Sequence, residues 1–249
     1  MNGVVLRVDA LHKAFGGVQA VEDVAFAVSA GELLALIGPN GAGKSTCFNM
    51  LNGQLRPDGG VVEFEGRNIV GLSPRAIWRL GVGRTFQITA TFASLSVREN
   101  VQMALYSQAG KLRQFLSRFG SEMRSEADAL LAQVGMLDQA ERPCGVLAYG
   151  DLKRVELAMA LANQPRLLLM DEPTAGMAPR ERVALMELAA RLARAQKIAV
   201  LFTEHDMDVV FSQADRIIVL DRGRLIAGGL PAEVRANLDV RAVYLGGGH

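Results

Sequence analysis

The sequence predicts an α/β fold: a mostly parallel sheet with helices on both faces, an antiparallel β part near the start and a helical part inserted in the middle. Three observations predict it. Gly38-Pro39-Asn40-Gly41-Ala42-Gly43-Lys44-Ser45-Thr46 follows an apolar run, Leu33 to Ile37, and leads into Cys47 to Leu51, which continues as a helix. After Gly150, helical and apolar segments alternate, the pattern of parallel strands joined by crossover helices. The first third is cut into short apolar runs by glycine-rich punctuation.

The elements follow in order. Strands are expected at Val4 to Val8, Val24 to Val28, Leu33 to Ile37 and Val61 to Phe64, separated by Gly16-Gly17, Ala30-Gly31 and Asp58-Gly59-Gly60. Their short connections favour antiparallel pairing of neighbours. Ser73 to Leu80 is helical, and Val82-Gly83-Arg84-Thr85-Phe86-Gln87 places Gln87 after a strand. Between Gln87 and Leu147 the chain is rich in Arg, Ser and Ala and reads as an inserted helical part. Within it, Glu122 to Val134 puts Leu130, Leu131 and Val134, with Leu137 beyond, on one helix face. Then come a helix (Leu152 to Asn163), a buried strand (Leu167 to Met170), a helix (Arg180 to Ala195) and a strand (Ile198 to Phe202). Ile217 to Leu220 and Leu225 to Ala227 form a closing hairpin, and the Gly246-Gly247-Gly248-His249 tail is expected to be disordered. No internal repeat is present.

Composition narrows the function classes. Hydrophobic residues are 50% and aromatics only 6% of 249 residues, which suits an aliphatic core. A chain of this size buries roughly 75% of its unfolded surface, so no disulfide or metal staple is needed. Lys and Arg number 27 against 26 Asp and Glu, a formal charge of +1 that argues against broad nucleic-acid binding. Cys47 and Cys144 lack metal-ligand spacing, and Cys47 suits a small buried position. The N-terminus has no signal-peptide pattern and no apolar run approaches the ~20 residues that span a bilayer. The expectation is a soluble, cytoplasmic chain, any membrane role of which must come through a partner.

The Gly38 to Thr46 stretch has the composition and the strand–loop–helix context of a phosphate-binding loop. Its glycines let successive N–H groups turn inward at a phosphate, and the following helix adds its positive end. Lys44 supplies a mobile cation for the β- and γ-phosphates and Ser45 a hydroxyl for Mg²⁺. The chain is therefore expected to bind a nucleoside triphosphate.

A second set of polar groups ends the apolar strands. Asp171 and Glu172 close Leu167-Leu168-Leu169-Met170, and ligands of parallel sheets bind at C-terminal strand ends. Asp171 is expected to hold Mg²⁺, directly or through water, and Glu172 to orient and activate the attacking water. Ile198 to Phe202 ends likewise in Thr203-Glu204-His205-Asp206, where His205 can reach the γ-phosphate or that water. Gln87 can ligate Mg²⁺ through its carbonyl while moving with the segment C-terminal to it.

Leu147-Ala148-Tyr149-Gly150-Asp151 stands just before a helix. With the phosphate loop, Gln87, Asp171-Glu172 and His205, it makes the chain resemble the ATP-binding subunit of an ABC transporter over nearly its whole length. The resemblance implies a P-loop NTPase core with an antiparallel β subdomain and an inserted helical subdomain. The core would cover 1–87 and 164–230, the helical subdomain 88–163, and a C-terminal helix and tail 231–249. It implies two ATPase chains, identical or not, packed head to tail around two ATP molecules. Leu147 to Asp151 of each chain would then cap the γ-phosphate held by the other's loop. It also implies that Phe15 stacks on adenine, that Gln87 links Mg²⁺ to the helical subdomain, and that Ala175 to Pro179 communicates across the dimer. Two membrane permease subunits and, indirectly, a solute-binding protein would complete the assembly on the inner face of the cell membrane, without nucleic acid.

Phe15-Gly16-Gly17-Val18, Gly38 to Asn52, Arg84 to Gln87, Leu147 to Gly150, and Ala175-Gly176-Met177 with Pro179 and Glu181 are similar to the branched-chain amino-acid uptake group. That group also serves other small solutes. Three positions depart from the general transporter pattern. Ala148 lacks the hydroxyl of the signature serine, Asp151 replaces a glutamine and adds negative charge, and Ala178 replaces a polar residue. Lys153 and Arg154 either offset Asp151 or form a solvated face. Phe92, Leu95 and Val97 are candidates for permease contact or for local core. The readings are an importer ATPase, the ATPase of another transporter or lipid-trafficking complex, and a soluble ABC ATPase of translation or repair. The last lacks its usual paired cassettes or coiled coil.

Overall fold

The computed structural model describes residues 3–85, 91–111 and 122–245. Its first unit is an antiparallel sheet. Strands β1 (Val4–Phe15) and β2 (Val18–Ser29) form a hairpin whose turn uses Gly16 and Gly17, both at positive φ. Strand β4 (Gly59–Phe64) pairs with β1, and the short β5 (Arg67–Asn68) closes the order β2-β1-β4-β5. β1 and β2 each run 12 residues, far beyond Val4 to Val8 and Val24 to Val28. Their distal halves carry exposed polar residues and bulged register, so apolar alternation fades while the backbone ladder continues.

Strand β3 (Leu33–Ile37) leaves this sheet. It lies between β8 (Ala199–Thr203) and β9 (Arg216–Asp221), parallel to both, instead of pairing with its short-loop neighbour. Beyond β8 come β7 (Leu167–Asp171) and β6 (Val82–Thr85), also parallel, while β10 (Arg224–Gly229) returns antiparallel along β9. The six-stranded order is β10-β9-β3-β8-β7-β6. All five residues of β3, β7 and β8 are buried. Leu33, Ala35 and Ile37 face one core with Leu168, Met170, Val200 and Phe202, whereas Leu34 and Leu36 face another with Leu167, Leu169, Ala199 and Leu201. Period-2 alternation with apolar residues on both faces is what a sheet covered on both sides demands.

Helix α1 (Lys44–Leu51) follows the glycine-rich loop after β3, and α2 (Pro74–Arg79) is capped by Ser73 Oγ accepting from the Ala76 N–H. Helices α3 (Val97–Gln108), α4 (Arg124–Val134) and α5 (Tyr149–Leu161) pack together on the first core. α3 opens with a reciprocal Ser96–Glu99 cap, and Gly135 ends α4 in the left-handed region. Helix α6 (Pro179–Gln196) covers that face of the sheet, followed by α7 (Met207–Gln213), α8 (Pro231–Ala236) and α9 (Leu238–Leu245). α5 begins three residues before Leu152, so the turn around Gly150 belongs to its first turn. Among the described residues no helix is long and apolar enough to cross a membrane. Both cysteines are free and buried, and burial pushes the Cys47 thiol up to about 12.

Candidate functional site

The C-terminal ends of β3, β7 and β8 bring the site together. After Ile37 the loop passes so close to β9 that a side chain on Gly38 would meet the Leu220 carbonyl at 2.1 Å, and one on Gly43 the Ala20 carbonyl at 2.3 Å. Only glycine fits these two places. Gly43, at φ 106, starts α1 by accepting from the Cys47 N–H. The buried Lys44 ammonium folds back to donate to the carbonyls of Gly38 (2.7 Å) and Pro39 (3.0 Å). Burial holds it below the usual lysine range, while Glu172 and Asp171 pull it upward. Ser45 is exposed in the first turn of α1.

Asp171 is fixed at both oxygens. Thr203 Oγ1 donates to Oδ1 at 2.8 Å, and an Arg84 guanidinium nitrogen approaches Oδ2 at 3.4 Å. The other terminal nitrogen of Arg84 donates to Asn49 Oδ1 (3.2 Å) and Gln54 Oε1 (2.8 Å). Glu172 has φ 48, a left-handed backbone that costs a non-glycine residue about 1–3 kcal/mol. Its N–H is held by Thr203, at the carbonyl and at Oγ1, which over-determines that bend. The bend brings Glu172 Oε1 to 2.8 Å from His205 Nε2, with the half-exposed imidazole on the solvent side.

Beneath this pair lies Glu204, 5% exposed. Its Oε1 accepts from the Thr174 N–H (2.8 Å) and hydroxyl (2.7 Å), and its Oε2 from the His205 N–H (3.2 Å). One buried carboxylate thus fixes both the turn after Glu172 and the backbone of His205. Sequence reasoning passes over Thr203, Glu204 and Arg84. The first two stand within the strand-end run in which only His205 draws notice, and both are buried beneath it.

The Leu147 to Asp151 turn is built on the helical part. Ala148 occupies the N-cap of α5 at φ −63, ψ 152 with no side-chain cap. A Cβ on Gly150 would lie 3.3 Å from Glu181, and one on Gly176 3.5 Å from the Tyr149 ring, so this turn packs against the 175–179 loop and the start of α6. Asp151 accepts from Gln139 Nε2 at 3.1 Å. Lys153 is not a solvated face: it is 3% exposed and pairs with Glu156 at 2.9 Å. Arg154 donates to the Val134 carbonyl at 3.4 Å. Gln139, rather than either cation, is the hydrogen-bond partner of Asp151.

Other expected residues are dispersed. Phe15 is half exposed at the hairpin end, with the Lys13 ammonium 5.6 Å from its ring centre. Arg182 clamps the 175–179 loop by donating to the Met177 carbonyl (2.7 Å) and pairing with Asp206 (2.9 Å). Val97 is fully buried in the core, whereas Phe92 is 52% exposed, so of these two only Phe92 offers an apolar contact surface. Gln87 lies outside the described residues. A groove of about 340 Å³ lined by Ile77, Trp78 and Met159 reaches Arg84 from outside, next to Gln54.

Chemically, Lys44, Asp171, Glu172 and His205 bring a cation, a fixed carboxylate and a carboxylate–imidazole pair to one strand edge. Asp171 and Ser45 offer hard oxygen donors, and Mg²⁺ commonly takes one or two carboxylates with water and phosphate oxygens. Among the described residues no group of three or more His, Cys, Asp or Glu could hold a metal by itself.

Known proteins carry the same design. The ABC transporter family model matches residues 21–175, and that of the branched-chain amino acid ATP-binding cassette transporter matches 224–249. The chain is 40% identical to the high-affinity branched-chain amino acid transport ATP-binding protein LivG of Salmonella typhimurium, over 99% of each chain. It is 38% identical to the corresponding protein BraF of Pseudomonas aeruginosa, again over 99% of each. Among solved structures, the ADP conformation of an ATP-binding cassette of an ABC transporter superposes with a TM-score of 0.87 at 30% identity, covering 98% of this chain and 99% of that one.

Proposed function

The chain belongs to the ATP-binding subunits of ABC transporters, and from that premise we propose that it hydrolyses ATP to drive uptake of branched-chain amino acids or closely related small solutes. What supports the solute class is a likeness to amino-acid transport ATPases that runs the full length of the chain, residues 224–249 included. We read 1–249 as one ABC ATPase domain: a nucleotide-binding core over 1–87 and 164–230, a helical subdomain over 88–163, and a C-terminal helix and tail over 231–249.

Within that reading the residues divide the work. The backbone of Gly38 to Thr46 cradles the phosphates, and Lys44 exchanges its two loop carbonyls for phosphate oxygens. Ser45, Asp171 and Gln87 would hold Mg²⁺, which would neutralise phosphate charge when bound. Glu172 accepts the proton of the attacking water while His205 holds the carboxylate in place and reaches the γ-phosphate. Phe15, exposed at the hairpin end, offers its face to adenine. Leu147 to Asp151 cap the γ-phosphate of a second ATPase chain, with the N–H groups at the start of α5 as the anion-binding surface. Two permease subunits receive the motion through the face that carries Phe92, which places the chain on the inner side of the cell membrane with a solute-binding protein across it.

Reconstitution in vesicles with two permeases and a solute-binding protein that co-purify with it tests this. Leucine-loaded binding protein is expected to raise ATP turnover in the vesicles above the ligand-free level. Turnover indifferent to leucine, isoleucine and valine, yet stimulated by another solute, removes the amino-acid assignment and leaves the ATPase.

A further inference from the structure

Arg84 stands where the metal site and the outside of the molecule meet. β6 carries it beside β7, in register with Leu169, two residues short of Asp171. Its side chain is only 15% exposed, and the guanidinium spans three elements: Asp171 at the end of β7, Asn49 on α1, and Gln54 beyond α1. The contacts are unequal. Gln54 Oε1 is reached at 2.8 Å, whereas Asp171 Oδ2 is at 3.4 Å. Two neutral carbonyl oxygens thus anchor a permanent cation short of full engagement with the carboxylate. A cation so placed opposes a second cation at the same carboxylate, and in a partly buried site that opposition is poorly screened.

We infer that Arg84 is a positioning residue that competes with Mg²⁺ for Asp171, and that Asn49 and Gln54 set the strength of this competition by holding the guanidinium back. Arg84 and Gln54 also line the 340 Å³ groove, so whatever shifts Gln54 there changes how firmly Arg84 holds Asp171. The metal requirement of the site is thereby open to influence from the groove. This inference rests on the assignment of Asp171 to Mg²⁺ made above.

The test is Mg²⁺ titration of the thermal stabilisation given by a fixed ATP concentration, in a Glu172→Gln background that suppresses turnover. Arg84→Met is expected to lower the Mg²⁺ midpoint by on the order of tenfold, since one removed opposing charge is worth about one decade. Gln54→Leu, which frees the guanidinium to close on Asp171, is expected to raise it. Arg84→Lys keeps the charge and is expected to stay at or above the parent. ATP stabilisation in EDTA is expected to be the same in all four proteins. Arg84→Met and Gln54→Leu shifting in the same direction would mark Arg84 as plain scaffold and overturn the inference. If Arg84→Met fails to fold, an unchanged or lowered midpoint in Gln54→Leu overturns it alone. A parent whose ATP stabilisation ignores Mg²⁺ overturns the metal site itself, a distinct outcome.

Discussion

The ring of His205 and the carboxylate of Glu172 meet at 2.8 Å, Nε2 to Oε1, at the ends of two adjacent parallel strands. The contact exists because Glu172 is bent into the left-handed region and Thr203 holds it there. Glu172→Gln keeps the size and the bend but removes the basic oxygen. It is expected to lower ATP turnover by roughly 10²- to 10⁴-fold while ATP binding persists. His205→Ala leaves the base present but unheld, and a similar loss is expected, again with binding intact. Single-turnover hydrolysis beside equilibrium nucleotide binding separates the two effects. A His205→Ala protein with parental turnover would remove the imidazole from the mechanism.

Glu204 gives a prediction of another kind, because it is buried beneath the Glu172–His205 pair. Glu204→Ala strips acceptors from two Thr174 donors and the His205 N–H in a buried place. A buried unsatisfied group costs about 1–3 kcal/mol, so denaturant melts are expected to show a loss of that size. Turnover is expected to fall with it, since the loop after Glu172 and the backbone of His205 lose a common anchor. Glu204→Gln retains one acceptor oxygen and is expected to fall between.

Much of this arrangement is legible in the chain. Leu33 to Ile37 is recognisable because all five residues are apolar and a strand buried on both faces admits nothing else. The strand-end addresses of Asp171, Glu172 and His205 follow, since polar residues can only begin where such a strand emerges. The far halves of β1 and β2 are not legible, because these hairpin arms are held by backbone ladders and bury only Leu11 and Val21, too few to make an apolar period. Arg84 and Glu204 are hidden for a different reason. Their partners lie 30 or more residues away at Gln54, Asp171 and Thr174, and such pairings exist only once the sheet order is known. The Asp151–Gln139 contact is hidden because it depends on how the turn at Gln139 packs against the start of α5.

Asp206 carries a pH dependence. Burial works to raise its carboxyl, but the Arg182 guanidinium and the N–H groups of Val209 and Asp208 outweigh it and hold the group below the ordinary value of 3.8. A carboxyl depressed in the folded state contributes stability that is fully present above its unfolded value and disappears as pH falls through the folded one. Thermal midpoints of the parent are therefore expected to drop below about pH 4. Asp206→Asn is expected to be less stable at pH 7 and to lose part of that acid-side slope. An identical slope in the variant would place the acid sensitivity elsewhere.

Ala148 is the departure with the clearest physical sign. It occupies the N-cap of α5 with extended dihedrals, φ −63 and ψ 152, and provides no acceptor for the N–H groups of Gly150 or Asp151. A serine fits those dihedrals, and its hydroxyl oxygen can accept from one of those groups. N-cap serine against alanine is worth about 1 kcal/mol, or about 2–4 °C for a chain of this size. Ala148→Ser is therefore expected to raise the thermal midpoint of the isolated chain by that amount. Its effect on dimerisation separates two roles of the turn. A hydroxyl committed to capping α5 leaves ATP-driven dimerisation of the Glu172→Gln protein as it was, whereas one that reaches the partner's γ-phosphate tightens it. Sedimentation of that double variant with ATP, set against its melting curve, reads both at once. Greater stability with weaker dimerisation would mean that the turn is shaped for the alanine, and that the missing hydroxyl is a fitted feature of this chain.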